Sequence, residues 1–576
     1  MPTMETDTSG RNSQTACTVE KGAEIETTVT ETDSTSDDSG SGEFNYLAGW
    51  RLHVITLGLN LGLFLVNFEI TIVSTALVSI TNDLHEFKRS SWVITAYLIT
   101  YVAGIVIWAK LSDLFGRKQT CIAALLIFAA FSGGCGAAQS VVQLAVCRAF
   151  QGIGGSGIYA VAMVMLYELV RPHRYPLYTA TVTVVVALAF ALGPLLGGLI
   201  TDRASWRWVF LVNVPFAVLA AAVLFLATPS DFPLNNRLRS TVPKQQKGRH
   251  PGSSNLARLR AVDFSGGFLM LAATALLITG LEEAASHLDW RGATVLGPLV
   301  ASAILWAAFL ANSWRVSTRE GGEKSRRGQS VVEPVFPWRF CTSRVVVGLL
   351  LTSFMTGAVS ITCIFQLPLR YQTSAGLSAL QAGLRLIPFS VCGPLGTVFC
   401  AALSKKRRVP PIYLAIAGEL MQIIGLVFLA RGDPADPDWR GLYGLEVVVG
   451  IGFGLCLGAV SLMVPSVVEK RDLAVGAAAP VQLRFLGSAT VISIVTAVGN
   501  TWLRDELSGT LTPEQIQAIF RSSDAIKTLP TEELERMVRS RFVQSFNLQM
   551  HIVLGFAVAG VFTALVMWQR NQVRVP

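Results

Sequence analysis

The feature that most constrains this 576-residue chain is a succession of long apolar stretches joined by polar connections. A helix needs roughly 20 apolar residues to cross the hydrocarbon core of a bilayer, where only helices and closed barrels satisfy every backbone group. The ten-residue alternation of a membrane barrel does not occur in these stretches. We therefore predict an all-α polytopic membrane protein with fourteen spans, over residues 53–80, 92–112, 119–138, 141–168, 178–200, 208–228, 264–282, 292–313, 345–368, 378–402, 411–430, 442–465, 475–500 and 547–568.

The composition agrees with a membrane environment. Hydrophobic residues make up 51% of the chain and charged residues 15%, whereas charged residues make up roughly 25% of a soluble domain. The net charge of +9 does not indicate a nucleic-acid partner, because the basic residues lie between the apolar stretches rather than on one face. The nine cysteines include no CxxC pair, so neither a disulfide framework nor a metal site is expected.

Lysine and arginine concentrate in alternate connections, as they do on the cytoplasmic side of membrane proteins. This asymmetry predicts that both termini are cytoplasmic. Two long basic connections divide the spans into groups of six, two and six. The predicted organisation is a disordered cytoplasmic tail (1–50), a six-helix bundle (51–228), a cytoplasmic linker (229–262), an extra helix pair (263–313), a second cytoplasmic linker (314–344), a second bundle (345–568) with an extracellular loop (501–546), and a cytoplasmic tail (569–576).

The connection between spans two and three reads AKLSDLFGRK over residues 109–118. Gly116 permits a tight turn, and Asp113 is placed either to pair with Arg117 or to cap a helix end. With Lys118, these residues resemble the GxLxDxxGRK signature of the major facilitator superfamily, a cytoplasmic gate motif, although alanine replaces its first glycine. The alternative is an ordinary charged loop that only sets the topology.

Span four carries an arginine, Arg148, followed by Gln151 and a glycine-rich run at 152–155. This pattern is similar to a second signature of the superfamily, RxxxGxG with a glutamine before its first glycine. An arginine inside lipid costs at least about 2.5 to 3.5 kcal/mol. We therefore expect Arg148 to face a cavity and to have a partner.

Span five places small residues at four-residue intervals, at Ala189, Gly193 and Gly197, a spacing that lets a neighbouring helix approach closely. Pro194 removes one backbone hydrogen bond and bends the helix. The run from Gly193 to Gly198 resembles the superfamily's antiporter motif GPxxGG, which is associated with export. The alternative is a packing seam without directional meaning.

Residues 69–77 of span one read EITIVSTAL, which resembles the DxTIVxTALP motif of the fourteen-span drug:proton antiporter branch. Glu69 replaces the usual aspartate, so a carboxylate is retained. Residues 206–215 are similar to the WRWxFxxNxP motif of the same branch. The resemblance implies a fungal-type efflux pump with two six-helix bundles, a central pair of extra helices, and a central site that faces each side of the membrane in turn.

The sequence also offers candidates for energy coupling. Glu69 lies past the midpoint of span one and Arg148 in the outer third of span four, so their side chains are expected at similar depth. We expect Glu69 to exchange the proton and Arg148 to tune it, the alternative being a fixed buried ion pair that holds two helices together. Residues expected in a substrate cavity are Asn67, Thr71, Gln151, Arg385 and Arg484. Other acids are Glu419, expected within the membrane, Glu446, expected at an interface, and Glu168, Glu282 and Glu283, expected at span ends.

These features favour proton-coupled export of small amphipathic organic compounds such as drugs, toxins or secondary metabolites. The alternatives are proton-coupled transport of a specific solute, a basic amino acid or a siderophore, and a receptor that keeps the fold without transporting. No Walker sequence or catalytic triad spacing occurs, so we expect no enzyme activity and no cofactor besides the proton gradient. The expected partners are the substrate, protons and the lipid bilayer, for a monomer in the plasma membrane or, alternatively, the vacuolar membrane.

Overall fold

The structure is a computed structural model that describes residues 49–84, 90–171, 174–229, 263–287, 292–320, 334–377, 379–406, 408–433, 441–521, 525–526 and 529–573. This part of the chain contains eighteen α-helices. In order, they are α1 (Trp50–Leu84), α2 (Ser90–Phe115), α3 (Arg117–Ala137), α4 (Val141–Leu169), α5 (Tyr175–Arg203), α6 (Arg207–Leu211), α7 (Asn213–Ala227), α8 (Phe264–His287), α9 (Ala293–Glu320), α10 (Arg339–Thr342), α11 (Arg344–Thr373), α12 (Ala379–Arg385), α13 (Ile387–Lys406), α14 (Pro411–Leu429), α15 (Leu442–Val467), α16 (Leu473–Leu507), α17 (Pro513–Arg521) and α18 (Glu532–Val566).

The prediction of fourteen spans is confirmed, because fourteen segments of the described chain are helical, long and apolar enough to cross a bilayer. Two of these spans are broken. α6 and α7 form one span that is interrupted at Val212, and α12 and α13 form another that is interrupted at Leu386. Each break precedes a proline, Pro215 and Pro388, whose ring lacks an N–H donor and clashes with the preceding turn.

The spans form two bundles and a separate helix pair. In the first bundle, α1 to α7, α2 packs against α4 and α1 against α5. In the second, α11 to α16 with α18, α13 packs against α15 and α11 against α16. α8 and α9 pack on each other, and α8 also contacts α2 of the first bundle and α16 of the second. Large apolar side chains such as Phe225, Phe268 and Phe562 are exposed on the outer faces, as expected of helices surrounded by lipid.

Several predicted segments fall outside the described residues. These are the tail up to residue 48, the linker from 230 to 262, and the middle of the second linker, 321–333. The predicted loop at 501–546 is largely helical instead. α16 continues to Leu507, α17 follows at Pro513–Arg521, and α18 begins at Glu532.

Caps and charge pairs explain why this polar segment is helical. The hydroxyl of Thr531 accepts a hydrogen bond from the first turn of α18 at 3.4 Å. Glu532 and Glu535 in that turn pair with Arg536 at 3.1 Å and Arg539 at 2.7 Å, one turn later. Hydropathy does not detect such a turn, and the last helix begins at Glu532, well before the predicted span start at residue 547.

Candidate functional site

Glu69 of α1 and Arg148 of α4 meet inside the first bundle. Their side chains are 0% and 1% exposed, and Arg148 Nη1 lies 2.5 Å from Glu69 Oε1. Asn213 of α7 donates from its Nδ2 to the other carboxylate oxygen. Both carboxylate oxygens therefore have donors, one of them charged, which compensates for the loss of hydration.

Further polar groups surround the guanidinium of Arg148. Its Nε donates to the Val93 carbonyl oxygen at 2.9 Å, and its Nη1 also donates to Gln151 Oε1 at 2.8 Å. Gln151 in turn donates to the Ser132 hydroxyl at 2.7 Å, and the guanidinium carbon lies 4.3 Å from the ring centroid of Tyr97. This network joins α1, α2, α3, α4 and α7.

Two side chains that hydrogen-bond in the network, Asn213 and Ser132, are absent from the predicted site residues. Asn213 lies in the 206–215 run that resembles the antiporter branch, so a signal existed although no role was attached to it. Ser132 has no such signal, because serine is common in membrane helices and its partner Gln151 lies on another helix.

The connection between α2 and α3 forms a charged cluster. Gly116 has a φ of 97°, in the left-handed region that glycine tolerates best. Arg117 Nη2 lies 2.6 Å from Asp113 Oδ1 and 2.8 Å from Glu168 Oε1 at the end of α4. Lys118 donates to a backbone carbonyl oxygen just after α7 at 2.6 Å. Of the two arrangements expected for Asp113, the structure has the ion pair, and Glu168, expected only at a span end, is the second partner.

Small residues of α5 let this helix approach α1. A Cβ added to Gly193 would lie 2.7 Å from Thr71 Cβ, and the Thr71 hydroxyl donates to a carbonyl oxygen of α5 at 3.3 Å. α5 continues through Pro194 and Gly197, and Gly197 is buried. A Cβ added to Gly198 would meet nothing within 4 Å. Packing therefore explains the glycine at 193 but not the one at 198.

The second bundle holds two buried carboxyl groups. Glu419 of α14 is 0% exposed and accepts a hydrogen bond from the Thr356 hydroxyl at 2.9 Å, and no described basic side chain forms an ion pair with it. Glu446 of α15 is also 0% exposed and accepts from the Tyr371 hydroxyl at 2.6 Å. Glu446 lies near the start of the span Leu442–Val467, and its expected position at a membrane interface stays a prediction, because burial inside the protein does not fix its depth in the bilayer. The described residues contain no group of three or more His, Cys, Asp or Glu side chains that could hold a metal ion.

A cavity of about 1180 Å³ lies between the two bundles, at the end of the molecule that carries α17. Helices α1, α2, α5, α8, α11, α16 and α17 contribute to its wall. The wall is mostly aliphatic and aromatic, with separate hydroxyl groups, and includes Ile94, Leu98, Phe190, Phe365, Phe485, Ser493 and Thr496. Its charged lining residues, among those described, are Glu282, Arg504 and Glu514.

The residues that the sequence assigns to a substrate cavity separate in the structure. Asn67 and Arg484 line a second, smaller cavity of about 70 Å³ between the bundles. Thr71 and Gln151 line neither cavity, because both are hydrogen-bonded inside the first bundle. Arg385 also lines neither, and its guanidinium lies over two tyrosine rings of the second bundle. Periodicity alone does not show which side of a helix faces the cavity.

Hydrogen bonds join the two bundles on the side of the cavity away from α17. Arg484 Nη2 donates to the Tyr159 hydroxyl at 2.9 Å, and the Tyr167 hydroxyl donates to the Ser461 carbonyl oxygen at 3.3 Å. Tyr167 precedes Glu168 in the chain, and Glu168 forms the ion pair with Arg117 in the charged cluster between α2 and α3. These contacts separate the cavity from the end of the molecule that carries this cluster.

Comparison with known proteins relates this architecture to one family. The profile of the Major Facilitator Superfamily matches residues 59–491. The chain is 36% identical to the MFS-type transporter FPY5 of Fusarium mangiferae, covering 98% of this chain and 95% of that protein. It is 27% identical to the efflux pump dotC of Dothistroma septosporum, covering 89% and 83%. Among solved structures, an inward-facing bacterial homologue of the human lysosomal transporter Spinster matches with a TM-score of 0.55 and 15% identity, covering 91% of this chain and 100% of that one.

The helical architecture, the charged connection at 113–118 and the matched profile agree with one another. The profile covers most of the chain, from within α1, through the helix pair, to within α16. The protein therefore belongs to the major facilitator superfamily and is a multi-pass membrane transporter with fourteen spans.

Proposed function

We propose that the protein exports small amphipathic organic compounds across the plasma membrane in exchange for protons. The observation that carries this proposal is the cavity of about 1180 Å³ between the bundles. Pockets for drug-sized ligands measure roughly 300 to 1,000 Å³ and are mostly apolar with a few polar groups. The cavity has that character and room for a bulky molecule.

The export direction rests on two further observations. The run from Gly193 to Gly198 resembles the antiporter motif of exporters, and the relative from Dothistroma septosporum is named an efflux pump. With the termini in the cytoplasm, α17 lies on the extracellular side and the cavity is nearer that side. Substrate would leave by this route once the contacts of Arg484 and Tyr167 close the cytoplasmic side.

Proton coupling is assigned to Glu69 with Arg148. The carboxylate has no exposed surface in this conformation, so proton exchange requires the ion pair to open elsewhere in the transport cycle. The pair links α1 to α4, and Asn213 extends the link to α7, so a shift of α1 against its neighbours would break it. A fixed pair that only holds the helices together is the alternative.

The test uses inside-out plasma-membrane vesicles with an acidic lumen. Wild-type vesicles are expected to accumulate at least one of rhodamine 123, doxorubicin and Nile red above the level in vesicles without the protein. Glu69→Gln should abolish the accumulation driven by the pH gradient. Glu532→Gln, which removes an exposed acid on α18, is the matched control and should transport normally.

Three outcomes separate the parts of the proposal. Gradient-driven accumulation by a well-inserted Glu69→Gln protein would remove Glu69 from the coupling step and favour the fixed ion pair. Accumulation only when the gradient is reversed would contradict export. No protein-dependent movement of any compound under either gradient would contradict transport of this class and favour a receptor.

A further inference from the structure

We propose that the extra helix pair supplies a substrate-recognition residue, Glu282, which selects amphipathic compounds that carry a positive charge. This inference rests on the proposed function, because it names the class of compound that the cavity between the bundles admits. Sequence reasoning places Glu282 at a span end without a role. The structure instead puts it in the cavity wall.

Helix α8 lies at the boundary between the two bundles. α8 contacts α2 of the first bundle and α16 of the second, so it closes one side of the space between the bundles. Ile278 and Glu282, one helical turn apart, both line the cavity. The adjacent acid, Glu283, is not a lining residue of that cavity.

Glu282 is less exposed than the other charged residues that line the cavity. The other charged lining residues, Arg504 and Glu514, are exposed at the mouth, whereas Glu282 is half-buried. Thr95, a hydroxyl residue of α2, lines the same cavity. A carboxylate that is partly removed from water attracts a cation more strongly than an exposed one does.

Aromatic side chains line the same cavity as Glu282. Phe190, Phe365 and Phe485 belong to the same wall as Glu282. Their rings offer apolar area to the body of a ligand, and their faces attract cations. A lipophilic cation therefore finds both of its requirements in this cavity, whereas a lipophilic anion of the same shape meets an acidic side chain.

The experiment compares two ions of nearly equal size and opposite charge, tetraphenylphosphonium and tetraphenylborate. Purified wild-type protein in phosphatidylcholine nanodiscs is expected to bind radiolabelled tetraphenylphosphonium in a scintillation proximity assay, with empty nanodiscs subtracted. Glu282→Gln should weaken this binding about tenfold. Glu282→Asp should retain most of it, and Glu283→Gln, the matched loss of one negative charge, should change it less than about twofold.

Each outcome bears on this inference separately from the proposed function. Equal binding of the two ions by the wild type, or equal losses in the Glu282→Gln and Glu283→Gln proteins, would overturn the role of Glu282. If either of these results is found while the vesicles still accumulate Nile red, which is uncharged, export stands while charge selection fails. If tetraphenylphosphonium binding depends on Glu282 but no compound moves in vesicles, the recognition site stands and the proposed export fails.

Discussion

Two carboxyl groups, Glu69 in the first bundle and Glu419 in the second, are equally enclosed but differently compensated. Both side chains are 0% exposed. Glu69 has an arginine at 2.5 Å, whereas Glu419 accepts hydrogen bonds from the Thr356 hydroxyl at 2.9 Å and the Gln422 amide at 3.4 Å. A charged partner offsets the cost of burying an ionised group, whereas neutral donors supply hydrogen bonds but no opposite charge. Although the two carboxyl groups are equally buried, we therefore expect removal of a partner to lower the free energy of unfolding more at Glu69 than at Glu419.

The largest effect is expected at the charged pair. Arg148→Met leaves Glu69 buried without its counter-charge, and we expect a loss of about 3 to 5 kcal/mol in the free energy of unfolding. The measurement is unfolding of the purified protein in mixed micelles with increasing SDS. Arg536→Met removes an arginine from a pair whose side chains are 78% and 85% exposed and should cost less than about 1 kcal/mol. Similar losses in the free energy of unfolding for the two variants would show that the buried pair contributes no more to stability than the exposed one.

An intermediate loss of stability is expected at two glycines, one in each bundle, where a helix packs closely against its neighbour. A Cβ on Gly193 would meet the Thr71 side chain, and a Cβ on Gly357 would lie 2.7 Å from the backbone carbonyl carbon of Arg484. Each change to alanine should cost about 1 to 3 kcal/mol. Gly357→Ala should cost more, because a backbone group cannot rotate away.

Gly198→Ala is the control for both glycine variants, since a Cβ there meets nothing within 4 Å. The gain in helix propensity should leave its stability unchanged or raise it by up to about 1 kcal/mol. The same SDS unfolding assay applies. A control that is as destabilised as the other two would mean that the loss does not come from helix contact.

The smallest effect is expected for Glu419→Gln. The new amide oxygen still accepts from Thr356, and Gln422 Oε1, which has no hydrogen-bond partner in the described structure, offers an acceptor if that amide turns over. We expect a change of about 1 kcal/mol or less. The same substitution at Glu69 strands Arg148 and should cost several times as much. Equal losses in the free energy of unfolding for Glu69→Gln and Glu419→Gln would show that the arginine partner does not make Glu69 the more sensitive site.

Hydropathy was sufficient to predict the fourteen spans, because each must match the thickness of a bilayer whatever its neighbours are. It failed at both ends of the segment 501–546. There, α16 and α18 extend beyond the apolar stretch with polar residues that caps and ion pairs stabilise. Span length is therefore readable from composition, but helix length is not.

The candidate site was only partly predictable for a related reason. The proximity of Glu69 and Arg148 follows from their depths along two helices, which residue numbers provide. The roles of Glu168 and Glu282 depend on which neighbouring helix lies beside them, and a single sequence does not contain this. The apolar wall of the cavity has no sequence signal either, because its isoleucines and phenylalanines resemble those that face lipid.

The place of α8 has a consequence for how such chains are shortened or recombined. Because α8 contacts both bundles and provides part of the cavity wall, residues 263–313 are not a detachable spacer. Joining α7 directly to α11 would reduce the fourteen spans to twelve and leave the central chamber open to lipid along one flank. The helix pair is therefore an integral part of the chamber wall in this protein.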